Sequence, residues 1–338
     1  MAVTIKDIAK RTGLGLATIS RYLNGGNVRP QNLAAIEEAI QELNYSRNNF
    51  AHGLKTRRSS VIGVVLPEIR NALFMEVITE MEYVLKKQGY AILISDCHNN
   101  KQKEMESVDF LLSKSVDGIV SFPLSRSGRH LAAALERNVP VLLVDRAIKQ
   151  LSGKVDAVVI DNRRIACEAV RHLIGRGHRR IGIITSSRGE YTADERVRGY
   201  LDALDEAGIE PDPGLIIRKS FDLESGLEGY RKLLGKSGGV TAIFATSHNI
   251  TMGVLMAAGA DGKRVPRDIS IVGFDAMDWL RIVNPPLTIV EQPMAQIGRL
   301  AAEILLRRLV GGGGEDARQT VILPAKLNFG ASVRRLRP

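Results

Sequence analysis

The sequence predicts an α/β protein: a small three-helix headpiece of the helix-turn-helix type, then a core of two doubly wound parallel sheets. Three observations predict it. Two short amphipathic segments, residues 4–12 and 16–24, meet at a glycine turn near the start. From Val61 onward, apolar strand-like runs alternate with helix-length segments. At 338 residues, 44% of them hydrophobic, the chain is long for one core and rich enough for several.

The headpiece elements follow from apolar spacing. Ile5, Ile8 and Ala9 give the first helix one apolar face, with Thr4 as its cap. Ile19, Tyr22 and Leu23 do the same for the second. Leu33, Ile36, Ile40 and Leu43 line the third, which opens at Pro30, a residue suited to a first helical turn. These faces together make one small core. Residues 44–60 are polar and basic but contain Phe50, Ala51 and Leu54, a spacing that allows one short helix needing a partner to form.

The core elements come in strict alternation. Val61–Leu66 is a buried-strand run, and Phe74–Gln88 is a helix ended by Gly89. Then follow strand Ala91–Ser95, helix 101–114, strand Gly118–Ser121, helix 128–137 and strand Val141–Val144. After Asp161 the period repeats: helix 163–175, strand Arg180–Ile184, helix 195–207, strand 215–219, helix 225–235, strand Ala242–Ala245, helix 250–258 and strand Ser270–Gly273. A return strand after 287, a long helix 294–310 and a strand near 320–323 complete the chain. Two sheets of about half a dozen strands each, joined near Asp161 and again near Val290, make a clamshell. The expected boundaries are a headpiece over 1–45, a hinge helix or linker over 46–60 and the core over 61–338. Within the core, the first half takes 61–160 and 291–323, and the second 161–290 and 324–338. Gly311–Gly314 lacks a following Lys-Ser/Thr, so it reads as a link and not a phosphate loop.

Charge points to a partner. The net charge is +10, and residues 1–60 hold nine Lys/Arg against four Asp/Glu, a net of +5 in under a fifth of the chain. Such clustering beside a helix-turn-helix pattern implies a phosphate backbone. Cys97 and Cys167 are too few and too distant for a disulfide framework or metal knot, and both read as reduced. The N-terminus has no apolar signal core and no run approaches eighteen apolar residues, so a cytoplasmic protein with no membrane partner is expected.

On the second helix, Leu16, Ala17, Ser20, Arg21 and Asn24 share the face opposite the apolar one. Arg21 can donate twice to guanine O6 and N7, and the thymine methyl is the natural partner of Leu16 and Ala17. In the core, ligands of open α/β sheets bind at the carboxyl ends of strands. The polar residues that fall there are Asp145, Arg196, Ser247, Asp275 and Gln292, with Leu73, Phe74, Phe221 and Trp279 as apolar walls. Carboxylates and an arginine beside aromatic faces suit a sugar or polyol: charged groups pair with vicinal hydroxyls while rings cover C–H faces.

Over essentially its whole length the chain resembles the lactose-repressor (LacI) family of bacterial transcription regulators. The residues are Val3-Thr-Ile-Lys-Asp-Ile-Ala9, Thr18-Ile-Ser-Arg21, Leu43-Asn-Tyr45, Asp161-Asn162, Gly177-His-Arg-Arg-Ile181, Arg196 with Gly199, Val265-Pro266, Val272-Gly-Phe-Asp275 and Pro285-Pro-Leu-Thr288. The resemblance implies a DNA-binding headpiece, a hinge helix, and a periplasmic-binding-protein-like core that dimerises and senses a small molecule. It implies that Leu16, Ala17 and Arg21 read the operator and that Leu54 wedges into a minor-groove base step. Thr4, Thr18, Ser20, Asn24 and Asn48 complete the expected DNA-contacting set. Arg196 and Asp275 are implied effector contacts.

The chain departs from the family at a few positions. Gly15 stands where serine is usual, Arg47 where proline is usual, and Gly53 lowers helix propensity in the hinge by roughly 1 kcal/mol. Ser247-His248 replaces the common Asn-Asp, and Ala276 replaces an aspartate, so a larger or less common ligand is expected. A histidine there titrates near pH 6.5.

The expected function is a homodimeric repressor on a pseudo-palindromic double-stranded operator, switched by a sugar-like effector between the core halves. A dimer is favoured because the chain stops at Arg337-Pro338 without a heptad tail. The rivals are a sugar-processing enzyme and a pure ligand-binding protein of the same architecture. Against the first, there is no Gly-x-Ser-x-Gly elbow, Walker loop or His-Glu-x-x-His, so no catalytic residue, cofactor or metal is expected. His172 and His178 read as capping or packing residues. Against the second, there is no export signal, and neither rival explains the basic headpiece.

Overall fold

The structure, a computed structural model, describes residues 3–23, 26–45, 58–236, 239–276, 280, 282–310 and 317–336. It divides into two compact units, Met1–Ser59 and Ser60–Pro338.

The first unit holds α1 (Ile5–Thr12), α2 (Leu16–Leu23) and α3 (Pro30–Glu42). Thr4 caps α1, its N–H and hydroxyl both donating to the Asp7 carboxylate at 2.8 and 2.7 Å. Those hydrogen bonds lower the Asp7 carboxyl below its ordinary value and leave a negative charge beside the positive end of the helix. Helix α1 ends at Gly13, whose φ of 68° is left-handed and whose N–H donates to the Ala9 carbonyl at 2.9 Å. The Gly15 carbonyl then accepts the Thr18 N–H at 2.9 Å, which opens α2.

Ile8, Ile19, Ile36 and Ala39 are the buried centre of this unit, one or two from each helix. Ile5, Ala9, Tyr22, Leu23, Ile40 and Leu43 pack around them. Leu33 corrects the expectation: it is 39% exposed and lies outside that cluster. Helix α3 has 13 residues against eight in α1 and α2, so its first turn runs past the cover the shorter helices provide. Arg11 pairs with Glu42 at 2.7 Å and the Tyr22 hydroxyl donates to Glu37 at 3.1 Å, tying both short helices to α3.

The second unit is built on two six-stranded sheets. The first contains β1 (Val61–Leu66), β2 (Ala91–Asp96), β3 (Gly118–Ser121), β4 (Val141–Val144), β5 (Asp156–Ile160) and β11 (Thr320–Leu323), in the order β11-β5-β4-β3-β1-β2. The second contains β6 (Ile181–Ser186), β7 (Ile216–Lys219), β8 (Ala242–Ala245), β9 (Ser270–Phe274), β10 (Thr288–Glu291) and β12 (Lys326–Asn328), in the order β12-β10-β9-β8-β6-β7. All pairings are parallel except β10 with β12. Helices α4 (Ala72–Lys87), α5 (Lys101–Ser113), α6 (Ala132–Glu136), α7 (Asn162–Gly175), α8 (Tyr191–Glu206), α9 (Leu223–Leu234), α10 (His248–Ala260) and α11 (Met294–Val310) make the returns. Strands β3, β4, β6, β8 and β9 are buried at every residue, which is why they read as unbroken apolar runs and not as alternations.

Three connections pass from one sheet's lobe to the other. They are Asp161 between β5 and α7, Gln292–Pro293 between β10 and α11, and Pro324–Ala325 between β11 and β12.

The structure adds β5, which opens at Asp156 and is absent from the alternation expected from the sequence. The Asp156 carboxylate is 1% exposed, gripped by Arg308 at 2.9 Å through two nitrogens and by the Gln319 N–H at 3.0 Å. The helix expected over 128–137 is a single 3₁₀ turn at Arg129–Leu131 followed by the short α6, since Gly128 is left-handed at φ 69°. Helix α8 begins at Tyr191, four residues before the expected start, and this brings Glu190 and Asp194 to its N-terminal turn.

His172 stacks on Phe329 with ring centroids 4.8 Å apart. His178 is fully buried, its Nδ1 2.9 Å from the Thr241 hydroxyl and its Nε2 3.2 Å from the Arg334 carbonyl. Both therefore pack, as expected of them. Cys97 and Cys167 are free and buried, and burial pushes the Cys97 thiol up to about 11. Among the described residues no helix is long and apolar enough to cross a membrane. The Gly311–Gly314 link lies outside the described residues.

Candidate functional site

The first candidate surface is the open side of α2. Ile19 faces the core at 0% exposure, so helical geometry turns Leu16, Ala17 and Arg21 outward; Leu16 is 46% exposed. Thr18 and Ser20 flank that face, half-buried. A singly exposed leucine is ordinary on a protein surface, so this exposure makes Leu16 accessible to a partner and by itself assigns it no role. Beyond α2 the Gly26 N–H donates to the Arg21 carbonyl at 2.9 Å. A Cβ at Gly26 would stand 2.7 Å from Arg21 Cγ, so the absence of a side chain there leaves Arg21 its room. Thr4 is exposed, but its hydroxyl is engaged by Asp7. Asn24, Asn48 and Leu54 lie outside the described residues, as do Arg47, Phe50, Ala51 and Gly53.

The second is a cavity of about 440 Å³ between the two lobes, within the size range of small-molecule sites. Eight of the nine predicted cleft residues line it. Leu73 and Phe74 come from the first turn of α4, where Asn71 caps the helix by accepting the Leu73 N–H at 3.1 Å. Phe74 is 5% exposed and leans on Phe122, with centroids 4.9 Å apart. Asp145 follows β4 in a left-handed conformation, φ 69°, and Asp275 follows β9 at φ 70°. Phe221 follows β7, Ser247 follows β8 and Gln292 follows β10. Trp279 lies outside the described residues.

Two buried charges organise the floor. Arg196, 3% exposed on α8, lies over the Phe274 ring at 3.7 Å and 5.9 Å from the Phe221 centroid. Its Nε donates to Asn162 Oδ1 at 2.8 Å and its Nη1 to the Thr246 carbonyl at 2.5 Å. Asp275, 7% exposed, accepts from Gln292 Nε2 at 2.6 Å and from the His248 N–H at 3.3 Å. Burial pushes the Asp275 carboxyl above its ordinary value, against the pull of Arg196. Burial likewise lowers the Arg196 guanidinium, against the attraction of Asp275 and Asp145. Each charge thus holds few partners for its capacity, and a polar ligand can supply the rest.

Ser247 lines the cavity and also caps a helix. Its hydroxyl accepts the Ile250 N–H at 3.3 Å and caps α10, which leaves its O–H as a donor. His248 is half-buried, and burial lowers its ring below the ordinary value, against the pull of Asp275.

Sequence reasoning passes over Arg146 and Glu190. Arg146 is 7% exposed; its Nε donates to Asp145 at 3.2 Å, its Nη1 to the Pro123 carbonyl at 3.2 Å, and its Nη2 stands 3.9 Å from Glu190 of the other lobe. The place directly after Asp145 at a strand end was a usable signal for Arg146. Glu190 carried none while α8 was expected to begin at 195. In the sequence Asn162 is marked only as half of the Asp161-Asn162 pair that carries the family resemblance.

Comparison with known proteins agrees with this arrangement. Residues 4–48 match bacterial regulatory proteins of the lacI family, and residues 170–333 match a periplasmic binding protein-like domain. The chain is 32% identical to catabolite control protein A of Priestia megaterium, over 99% of this chain and 100% of that protein. It is 36% identical to the HTH-type transcriptional repressor PurR of Proteus mirabilis, over 95% of this chain and 94% of that one. Among solved structures it is similar to a complex of the transcriptional regulator CelR with cellobiose, with TM-score 0.74, 29% identity, and coverage of 98% of this chain and 99% of that one. The chain belongs to the lacI family of bacterial regulatory proteins and is a DNA-binding transcriptional regulator with a helix-turn-helix headpiece and a periplasmic-binding-protein-like core.

Proposed function

We propose that this regulator is a cytoplasmic, non-enzymatic repressor that binds a pseudo-palindromic operator as a homodimer and is switched by a sugar or sugar derivative held between the core lobes. The observation that carries the reading is the convergence of Arg196 and Asp275, both buried, on one cavity of about 440 Å³ lined from strand ends of both lobes. Hydroxyls accept from a guanidinium and donate to a carboxylate, and the Phe221 face covers C–H groups. The relative solved with cellobiose supports a carbohydrate. The Leu73, Phe74, Asp145, Ser247 and Gln292 side chains complete the proposed site.

On the DNA side, Leu16, Ala17 and Arg21 read base edges in the major groove, and Thr4, Thr18, Ser20, Asn24 and Asn48 position the headpiece on the duplex. Leu54 enters the minor groove. In this reading residues 1–45 are the headpiece, 46–60 the hinge, and 61–160 with 291–323 the lobe that opens into it. Ligand binding alters the lobe angle, and β1, the first strand after the hinge, carries that change to it. Coupling of this kind is typically about 1–3 kcal/mol, so operator affinity changes roughly 5–150-fold.

Two assays test the reading. In a thermal-shift screen of sugars, sugar phosphates and nucleosides, a sugar is expected to raise the melting temperature of the full chain. That sugar is then added to a gel shift on a duplex selected from random sequence. An unchanged operator affinity at saturation rejects the switch, and failure to select any duplex rejects the regulator.

A further inference from the structure

The two buried cleft charges share a feature. Each is held by a side-chain amide that stands at a connection between the lobes. Asn162 is the first residue after the Asp161 connection, and it is 2% exposed. Its Oδ1 accepts from Arg196 Nε at 2.8 Å while its Nδ2 donates to the carbonyl of Ile160, the last residue of β5, at 3.4 Å. One amide therefore spans from the first sheet to the ligand-facing arginine of the second lobe. Gln292 stands in the connection between β10 and α11, and its Nε2 donates to Asp275 at 2.6 Å.

Helix capping does not account for Asn162. The cap of α7 is Asp161, whose Oδ1 accepts the Arg164 N–H at 2.9 Å. A residue at the first helical position needs no buried amide, and alanine serves there as well. Arg196 needs Asn162 more than the helix does. The guanidinium lies against Phe274 away from water, and its named acceptors are Asn162 Oδ1 and the Thr246 carbonyl.

We propose that Asn162 is a positioning residue that ties Arg196 to the connection between the lobes, with Gln292 doing the same for Asp275, so that a ligand engaging either charge acts directly on the lobe angle. The inference rests on the cleft being the effector site. Arg196 has N–H donors beyond those that Asn162 and Thr246 accept. A ligand oxygen that takes them draws the guanidinium toward it, and through the Nε–Oδ1 bond the Asn162 amide and the backbone from Ile160 to Asn162 move with it. No separate relay of packed side chains is required.

The test reads lobe geometry in the full-length protein without added ligand. Nitroxides are attached at Asp109→Cys on α5 and Asp261→Cys beyond α10, both exposed positions, one on each lobe. The native Cys97 and Cys167 are buried and label poorly under native conditions. The sample is diluted with unlabelled protein, and the distance is read by double electron–electron resonance. Asn162→Ala is expected to shift or broaden the interlobe distance distribution. Asn162→Asp, which keeps an acceptor for Arg196 Nε, is expected to retain the parent distribution. An unchanged distribution in Asn162→Ala, or identical behaviour of the two variants, overturns the proposal.

If Asn162→Ala does not fold, the unsubstituted Asn162 protein decides. The Arg196 Nε–H resonance, identified by its loss in Arg196→Lys, is expected to be rigid by its heteronuclear NOE, and a freely rotating signal overturns the proposal. Neither measurement uses a sugar, so a negative ligand screen counts against the effector reading alone and leaves this one standing or falling by itself.

Discussion

Arg126 Nη1 stands 3.3 Å from Asp194 Oδ2, so a loop of the first lobe grips the first turns of α8 in the second. Asp194 also accepts from Arg218 at 3.0 Å and from the Gly189 N–H at 3.1 Å, which fixes its carboxylate in place. Helix α8 is the helix that carries Arg196. Arg126 is 53% exposed by side chain, so the pair is worth ~0–1 kcal/mol and weakens with salt. Arg126→Ala is therefore expected to leave the melting temperature nearly unchanged while increasing the radius of gyration of the isolated core slightly at low salt. The difference from the parent should vanish in 0.5 M salt; small-angle scattering checks both.

Arg21→Ala is expected to cost about 1–3 kcal/mol of operator binding and to relax preference at one base pair. A binding series over single-base operator variants checks it, since equal losses on every variant would make Arg21 a phosphate contact. Gly26→Ala is expected to weaken the same contact, because its methyl group would meet Arg21 Cγ at 2.7 Å.

Asp275→Asn is expected to abolish the response to a sugar while sparing basal operator binding. Asparagine keeps one oxygen for Gln292 but takes the buried counter-charge from Arg196, so a loss of core stability at pH 7 is expected to accompany the substitution. Calorimetric titration with the sugar from the screen, alongside a gel shift, separates the two effects. Unchanged sugar affinity would take Asp275 out of the site.

Acid should weaken the core before its carboxylates protonate. Burial lowers His172, His178 and His248 from an ordinary value of 6.5, so the folded state binds fewer protons than the unfolded chain. The stability this linkage protects is complete above pH 6.5 and declines as pH falls below it toward the lowered folded values. Melting temperatures at pH 7.5 and 5.5 check the sign. The difference should shrink in His178→Gln, because that ring is fully buried between Thr241 and Arg334.

Gly199→Ala is expected to destabilise the core by about 1–3 kcal/mol or more, read by urea unfolding. A Cβ there would stand 2.1 Å from the Arg163 carbonyl and 2.8 Å from the Cys167 nitrogen, both backbone atoms of α7 that cannot step aside.

Much of this protein is written locally. The Gly13 turn, the Pro30 helix start and the apolar runs of β1, β3 and β4 are decided within a few residues of chain, because φ preferences and periodic apolarity act at that range. The eight cleft residues were legible for a related reason: in a parallel α/β sheet, strand ends face the ligand by topology, so position along the chain predicts position in the cleft. Only the tertiary structure decided the rest. Asp156 became a strand residue because Arg308, more than 150 positions away, neutralises it. The Ser247 hydroxyl took up the cap of α10 while lining the cleft, and burial lowers the His248 ring. Asn162 and Arg146 acquired their places from partners on other elements, and pairings of that kind follow from how helices and sheets pack in three dimensions, which spacing along one segment does not encode.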